Sequence, residues 1–315
     1  MLIYVKICIL SAFYAFNRKT FLFLLHQIEE TMKAIFTYVL TLIVTLSTFA
    51  EISISEKKTL IQFNKSTNGD QWSTKWDLNA PVSTWYGVTI QNDKVVAIDL
   101  SSNKLSGSLP SNISNLIYLK SLVLFQNEIS GQIPTTIGDL KSLEQLNLSF
   151  NKFSGSIPEA LSNATSLKSI ELFMNRLNGN LPKTFYKLKK LEVLSLYNNA
   201  ISGEIPSELY KIKSLKVLQL NSNKLSGKLS KEISNLNSLE SLSLFDNNMI
   251  GQIPFDIEKM NNLKEMNISY NNFKGVISKK LSNKDALNMT MLNDQGVATT
   301  LLIDMSKDKA IVSEE

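Results

Sequence analysis

The sequence offers few side chains that could carry out chemistry. It contains one cysteine, Cys8, and one histidine, His26. A thiol nucleophile, a disulfide, a thiolate-bound metal and histidine acid/base catalysis would all depend on these two residues. Both lie upstream of a segment that is typical of an export signal, so we expect the mature chain to contain neither. The sequence therefore predicts a protein that is not an enzyme and that holds no metal or other cofactor.

The predicted export signal covers residues 32–50. A basic residue, Lys33, is followed by an apolar run over residues 34–46 and then by short side chains at Thr48 and Ala50. A charged start, an apolar centre and a small-residue cleavage site define a secretory signal peptide. We expect cleavage after Ala50 and a protein that is secreted or located at the cell surface or in a periplasm. A membrane anchor or a pair of hydrophobic hairpin arms is the alternative.

A 24-residue unit recurs without insertion over residues 95–286, and its most regular position is an asparagine. The eight copies are Asn103, Asn127, Asn151, Asn175, Asn199, Asn223, Asn247 and Asn271. Each asparagine follows a frame of the type L-x-x-L-x-L, as in Leu119, Leu122 and Leu124. Alternating leucines place apolar side chains on one face of a short strand, and only stacked coils can bury that face. The pattern predicts an α/β solenoid of eight repeats with a parallel β-sheet on its concave face.

The asparagine has a structural role in this prediction. Its amide both donates and accepts hydrogen bonds, so it can satisfy backbone groups that a turning chain leaves inside the stack. We therefore interpret the eight asparagines as a ladder that runs along the solenoid.

Two further positions complete the repeat. A glycine stands four residues after each asparagine, as Gly155 does after Asn151, and a proline such as Pro158 follows in six coils. This frame resembles the leucine-rich-repeat family, in its G-x-[IL]-P subclass of plant receptor ectodomains and exported bacterial proteins. An apolar residue after each proline position, such as Leu161, predicts a short helix or 3₁₀ turn packed against the core. The resemblance is specific for the fold and far less specific for function.

Both ends of the solenoid need a cover, since terminal coils expose core and strand edges. Residues 51–94 are the predicted N-terminal cap, with a helix capped by Ser55 and a tryptophan-rich segment. The cap looks like that of bacterial family members, because plant caps of similar pattern carry paired cysteines and this one has none. Residues 287–315 are the predicted degenerate repeat and C-terminal cap, read as a hairpin or final strand. Residues 1–31 are expected to lie outside the working protein, with Met32 as a possible start.

The residues that alternate with and follow the leucine frame face outward from the concave sheet, and seven of those that follow its last apolar residue are large and apolar or aromatic. The predicted ligand-binding residues are Phe125, Phe150, Phe173, Met174, Tyr197, Phe245 and Tyr270. Aromatic side chains provide large contact areas at low entropic cost. We expect a protein or peptide partner; a glycan bound by a surface-adhesion module and a purely structural spacer, in which the rings only stiffen the ladder, are the alternatives.

The charged residues point to structural roles. Lysine and glutamate alternate after the first leucine of successive repeats, which predicts a ladder of ion pairs between coils. Carboxylates such as Glu171 and Asp99 lie on the concave face, but none has a second carboxylate beside it in the same column, as glycoside hydrolysis requires. The net charge of +5 comes without a basic block, so no nucleic-acid partner is expected. We also expect no stable membrane span once the signal is removed.

Overall fold

The computed structural model describes residues 52–284, 290–293 and 297–303, together with scattered helical positions between residues 7 and 37. The chain divides into two compact units, Met1–Phe49 and Ala50–Glu315. In the first unit, residues 29–37 are helical and exposed. The predicted cleavage site after Ala50 lies outside the described residues, as do residues 38–49 of the predicted signal. Within the described part of the chain, no helix has the length and apolarity that a membrane crossing requires.

The N-terminal cap is built on helix α1, Ile54–Ser66. The prediction that Ser55 caps this helix is wrong, because Ser53 does so: its hydroxyl accepts a hydrogen bond from the Glu56 amide, and the Glu56 carboxylate accepts one from the Ser53 amide. This reciprocal capping box satisfies two backbone donors at once. Glu56 also accepts a hydrogen bond from the backbone amide of Val95 at 3.0 Å, which ties the cap to the first repeat.

The three tryptophans of the cap form its core around Phe63. The Trp72 and Trp76 ring centroids are 4.9 Å apart and those of Trp76 and Trp85 are 4.7 Å apart. All three indoles are buried, and each donates its N–H to a backbone carbonyl. The cap therefore covers the apolar end of the solenoid without leaving an indole N–H unpaired.

The main sheet has nine strands, of which eight are parallel and belong to the eight repeats. They are β2 (Lys94–Asp99), β4 (Ser121–Val123), β6 (Gln145–Asn147), β8 (Ser169–Glu171), β10 (Val193–Ser195), β12 (Val217–Gln219), β14 (Ser241–Ser243) and β16 (Glu265–Asn267), and the ninth strand is β1 (Val88–Gln91). Neighbouring repeats pair residue to residue at a shift of 24, as Leu122 pairs with Leu146. The prediction of a solenoid with a parallel sheet is confirmed, while the cap adds β1 as an antiparallel hairpin partner of β2.

A second parallel sheet of six strands follows the main sheet in each coil. Its strands are β3 (Ser106–Ser108), β5 (Glu128–Gly131), β7 (Lys152–Ser156), β9 (Arg176–Asn180), β11 (Ala200–Gly203) and β13 (Lys224–Leu225), and β15 (Ile250–Gly251) and β17 (Asn272–Phe273) form a separate pair. The repeat glycine lies in this region with positive φ in every coil. Gly107 shows why: with φ of +85°, an added Cβ would lie 2.3 Å from the backbone oxygen of Ser66 in helix α1.

Each of the first seven coils then forms a 3₁₀ turn on what we call the helical side of the solenoid. Seven such turns follow a proline, or Ser230 in one coil. They span Ser111–Asn115, Thr135–Asp139, Glu159–Asn163, Lys183–Lys187, Ser207–Lys211, Lys231–Asn235 and Phe255–Lys259, while two others, Gly69–Gln71 and Val82–Thr84, lie in the cap. The eighth coil has a short α-helix instead, α2 (Lys279–Ser282).

The far end of the solenoid is closed by short strands. Strand β19 (Thr290–Leu292) pairs antiparallel with β20 (Ala298–Thr300), and β18 (Val276–Ile277) pairs parallel with β21 (Leu302–Ile303). Both a hairpin and a final strand are therefore present. Leu287, Gln295 and residues 304–315 of the predicted C-terminal cap lie outside the described residues.

The asparagines lie at the turn that leaves the main sheet, and their side chains link successive coils. Asn151 is typical: its Nδ2 donates to the backbone oxygens of Leu124 in the preceding coil at 2.8 Å and of Leu148 at 3.1 Å. Its Oδ1 accepts from the amide of Ile129 in the preceding coil at 3.0 Å. The same bonds, to a carbonyl 27 residues earlier and from an amide 22 residues earlier, recur at Asn127, Asn175, Asn199, Asn223, Asn247 and Asn271.

Asn103 makes the same kind of bonds with the cap. Its Nδ2 donates to the backbone oxygen of Thr74 at 3.1 Å, and its Oδ1 accepts from the Thr74 amide at 2.6 Å. The ladder therefore continues into the tryptophan-rich segment, which takes the place of a preceding coil.

Candidate functional site

The side chains predicted to bind a ligand lie just after the strands of the main sheet, on its concave face. Phe125, Phe173, Tyr197 and Phe245 occupy one column, and Phe150, Met174 and Tyr270 occupy the next. Backbone hydrogen bonds between coils join the two columns, as the Met174 amide donates to the Tyr197 oxygen at 2.9 Å. Each ring is thus placed by the ladder of the solenoid rather than by a flexible loop.

Most of the rings form one continuous group, which we call the aromatic cluster: Phe125, Phe150, Phe173 and Tyr197. Phe150 contacts Phe125 and Phe173 edge to face, with centroid distances of 5.3 and 5.6 Å. Phe173 and Tyr197 stack at 4.4 Å with an interplanar angle of 9°. The cluster therefore spans four coils as a connected surface of ring faces and edges.

A second, smaller group, the aromatic pair, consists of Phe245 and Tyr270 at a centroid distance of 5.1 Å. The column position between the cluster and the pair holds Asn221, which is polar. The concave face therefore presents two apolar patches with a polar coil between them.

These rings are open to solvent to different degrees. Phe150 is 38% exposed and Tyr270 is 39% exposed, while Phe125, Phe173, Tyr197 and Phe245 are half-buried by their neighbours. The rings of the concave face thus pack against one another along the solenoid and also leave part of their surface accessible to a partner. For the Tyr197 phenol, burial first and the Glu171 carboxylate second raise the pKa above its ordinary value, so this hydroxyl stays protonated near neutral pH.

The second column has an unusual backbone, which the sequence did not reveal. The residue just before the ladder asparagine adopts a left-handed conformation in every repeat, with φ of 53° at Phe150, 52° at Met174 and 57° at Tyr270. Other coils place Asn198 or Asp246 there, and such short polar residues tolerate this conformation best. Three coils therefore hold a bulky side chain where the backbone disfavours one.

Polar side chains of the strands border the rings, and the sequence singled out only one of them. Glu171 accepts hydrogen bonds from Asn147 Nδ2 at 3.2 Å and from Ser169 Oγ at 3.0 Å. In the coil after that of Glu171, Ser195 Oγ donates a hydrogen bond to Gln219 Oε1 of the following coil at 2.9 Å. The alternation of leucine with polar residues could have identified this column, which adds hydrogen-bonding groups beside the aromatic cluster.

The predicted ion-pair ladder is present as three separate pairs. Lys168 contacts Glu144 at 2.6 Å, and the same contact recurs between Lys216 and Glu192 at 2.7 Å and between Lys264 and Glu240 at 2.6 Å. The hydrogen bond from Lys168 holds the pKa of Glu144 below its usual value, and that from Lys264 does the same for Glu240. These groups are largely solvated, so they contribute little to stability.

Two carboxylates of the concave face are held by local hydrogen bonds. Asp99 accepts hydrogen bonds from the amide and hydroxyl of Ser101 at 3.1 and 2.6 Å, and Glu171 is held by Asn147 and Ser169. Across the part of the chain that the structure describes, no three acidic, histidine or cysteine side chains come together as a metal site.

Stacked 24-residue coils, an asparagine ladder and an accessible concave sheet define a class of solenoid repeat proteins whose sheet surface serves for binding. Residues 93–153, 117–177 and 165–225 match a family model described as leucine rich repeat, and residues 262–283 match a second model of the same description. Over these residues the chain carries leucine-rich repeats.

The relatives named here are plant proteins. Polygalacturonase inhibitor 1 of Arabidopsis thaliana is 30% identical over 99 residues, which is 30% of this chain and 30% of that protein. Polygalacturonase inhibitor 2 of the same plant is 31% identical over 126 residues, or 38% of each chain. The matched region is therefore well under half the length of these curated relatives.

Two solved structures resemble the fold. The PEPR1–AtPEP1 crystal structure has a TM-score of 0.65 and 29% identity and covers 73% of this chain and 36% of that one. The plant peptide hormone receptor RGFR1 in complex with RGF2 has a TM-score of 0.58 and 32% identity, covering 66% of this chain and 32% of that one.

Proposed function

We propose that this chain is an exported, non-catalytic binding protein of the G-x-[IL]-P subclass that holds a protein or peptide partner on its concave face. The observation that carries the proposal is the aromatic cluster together with Met174 and the aromatic pair. Three of these large side chains occupy left-handed backbone positions, which cost stability, and two of them are more than a third exposed. A solenoid that only needed to fold would gain by placing asparagine there.

The relatives support the same role. RGFR1 is described as a plant peptide hormone receptor, and its structure is a complex with RGF2. The curated relatives are named as inhibitors of polygalacturonase, an activity whose target is itself a protein. These likenesses favour a protein or peptide ligand over a glycan, and an extracellular location, for the region that they share with this chain.

The predicted bacterial origin rests on the cysteine-free cap alone. The relatives named above come from plants, so the origin stays a prediction. Mass spectrometry of the mature protein would locate its first residue and test the proposed export at the same time.

The partner proposal is tested by replacing two stacked rings, Phe173→Ser with Tyr197→Ser. The control is Tyr186→Ser, which removes an exposed aromatic ring from the helical side of the solenoid. We expect the double variant to lose capture of partners that the wild-type chain and the control both retain. If the wild-type chain bound to a glycan array and captured no protein, an adhesion module would be favoured. If the double variant lost stability and captured the same partners as the wild type, a spacer would be favoured.

A further inference from the structure

A group of lysines collects on the helical side, although these residues are dispersed along the sequence. We call it the lysine patch: Lys187, Lys189, Lys190, Lys211 and Lys213, all of which are exposed. They follow or end the 3₁₀ turns Lys183–Lys187 and Ser207–Lys211, which lie side by side in neighbouring coils. The repeat therefore stacks Lys187 beside Lys211 and Lys189 beside Lys213, at equivalent positions 24 residues apart.

An exposed tyrosine organises the patch. The Lys189 ammonium lies 5.6 Å from the Tyr186 ring centroid, and the Lys211 ammonium of the next coil lies 6.0 Å from it. Cation–π contacts hold both flexible side chains near one ring, which lowers the entropic cost of gathering their charges for a ligand. The positive charges of two coils thus converge on one place.

These lysines have no close acidic partner in the described residues, although Lys190 interacts electrostatically with Glu144. Lysines elsewhere on the solenoid have acidic partners, as Lys152 does in Glu128 and Lys259 does in Asp256. Among the residues that the structure describes, none of the five patch lysines forms an ion pair. At the positions equivalent to Lys187 and Lys189, the preceding coil carries Asn163 and Thr165. The fold therefore does not require lysine at these positions.

We propose that the lysine patch binds an acidic polysaccharide, a chain of carboxylated sugars. A polyanion that crosses two coils meets several ammonium groups at once and releases its counterions, and the exposed part of Tyr186 offers an apolar surface beside them for a sugar ring. The proposal relies on the export proposed above for its choice of polyanion. The lysine patch is a different surface from the concave face, so binding at each surface can be tested independently of the other.

The test compares the wild-type chain with a fourfold variant, and each replacement copies the residue of an adjacent coil: Lys187→Asn, Lys189→Thr, Lys211→Asn and Lys213→Asn. The copied residues are Asn163, Thr165, Asn235 and Asn237, so the variant should keep the fold and the melting temperature. Affinity for alginate is measured at several salt concentrations, with neutral dextran, duplex DNA and phosphatidylglycerol vesicles as the other probes.

We expect the wild-type chain to bind alginate and not dextran, with an affinity that falls as salt rises. The fourfold variant should bind alginate about tenfold or more weakly, with a smaller salt dependence. The variant Phe173→Ser with Tyr197→Ser should bind alginate as the wild type does, which separates this result from failure of the partner proposal. No alginate binding, equal binding by a folded fourfold variant, or a preference for DNA or vesicles would overturn the inference.

Discussion

Replacing one ladder asparagine tests how the repeat holds its coils together. In Asn151→Ala, the buried Ile129 amide loses its acceptor, while the Leu124 carbonyl keeps the hydrogen bond from Asn127 Nδ2 at 3.1 Å. Each buried polar group left unpaired costs about 1 to 3 kcal/mol. With one such group, we expect the free energy of unfolding to fall by roughly 1 to 3 kcal/mol, which is a sizeable part of the stability of a typical domain.

The assay is urea unfolding followed by far-UV circular dichroism, with hydrogen exchange of the Ile129 amide as a local readout. Asn163→Ala is the control, because Asn163 is an exposed asparagine at the end of a 3₁₀ turn, outside the ladder. We expect the control to change stability by no more than about 0.5 kcal/mol. If Asn151→Ala cost less than about 1 kcal/mol, or left the Ile129 amide equally protected, the ladder would not have the role described here.

Three further outcomes follow from individual residues. Met174→Asn should change stability by less than about 1 kcal/mol, because the relief of backbone strain at this left-handed position offsets the lost apolar contact. The same variant should capture the partner more weakly. A large fall in its melting temperature would contradict this prediction. In thermal melts, Gly107→Ala should destabilise the chain more than Gly131→Ala. Both glycines have a positive φ, but only the alanine at position 107 brings a Cβ to 2.3 Å from a backbone oxygen. Equal decreases in melting temperature would refute the role of this contact. Lys168→Gln should raise the pKa of Glu144 towards its ordinary value, as measured by carbon-detected NMR titration. Because the paired Glu144 has a lowered pKa, its contribution to stability is present above the unfolded-state pKa. That contribution is lost as the pH falls through the folded-state pKa.

The sequence was sufficient for features that repeat. The spacing of leucine and asparagine predicted the parallel sheet, and the alternating charges predicted the ion pairs, because a residue in one coil has its counterpart 24 residues away. A glycine at one fixed position of a repeat is typical of positive φ or of close backbone approach, and the structure has a positive φ at Gly155 and its equivalents.

Features that depend on single contacts were beyond the sequence. Ser53 rather than Ser55 caps helix α1 because the position of Glu56 allows reciprocal bonds, and only the backbone path decides between two nearby serines. The left-handed backbone under Phe150 was hidden for a similar reason, since a bulky residue gives no sign of positive φ. The lysine patch arises from side chains of two coils meeting at Tyr186, which composition and net charge do not report.

The most direct test of the concave binding surface is site-specific photo-cross-linking. A benzophenone side chain is placed at Phe150, on the aromatic cluster, and in a separate protein at Asn163, on the helical side; both positions are exposed. We predict that the partner captured by the wild-type chain cross-links to the probe at position 150 and not to the probe at position 163. Cross-linking from position 163 alone would contradict the assignment of the concave face as the surface that holds the partner.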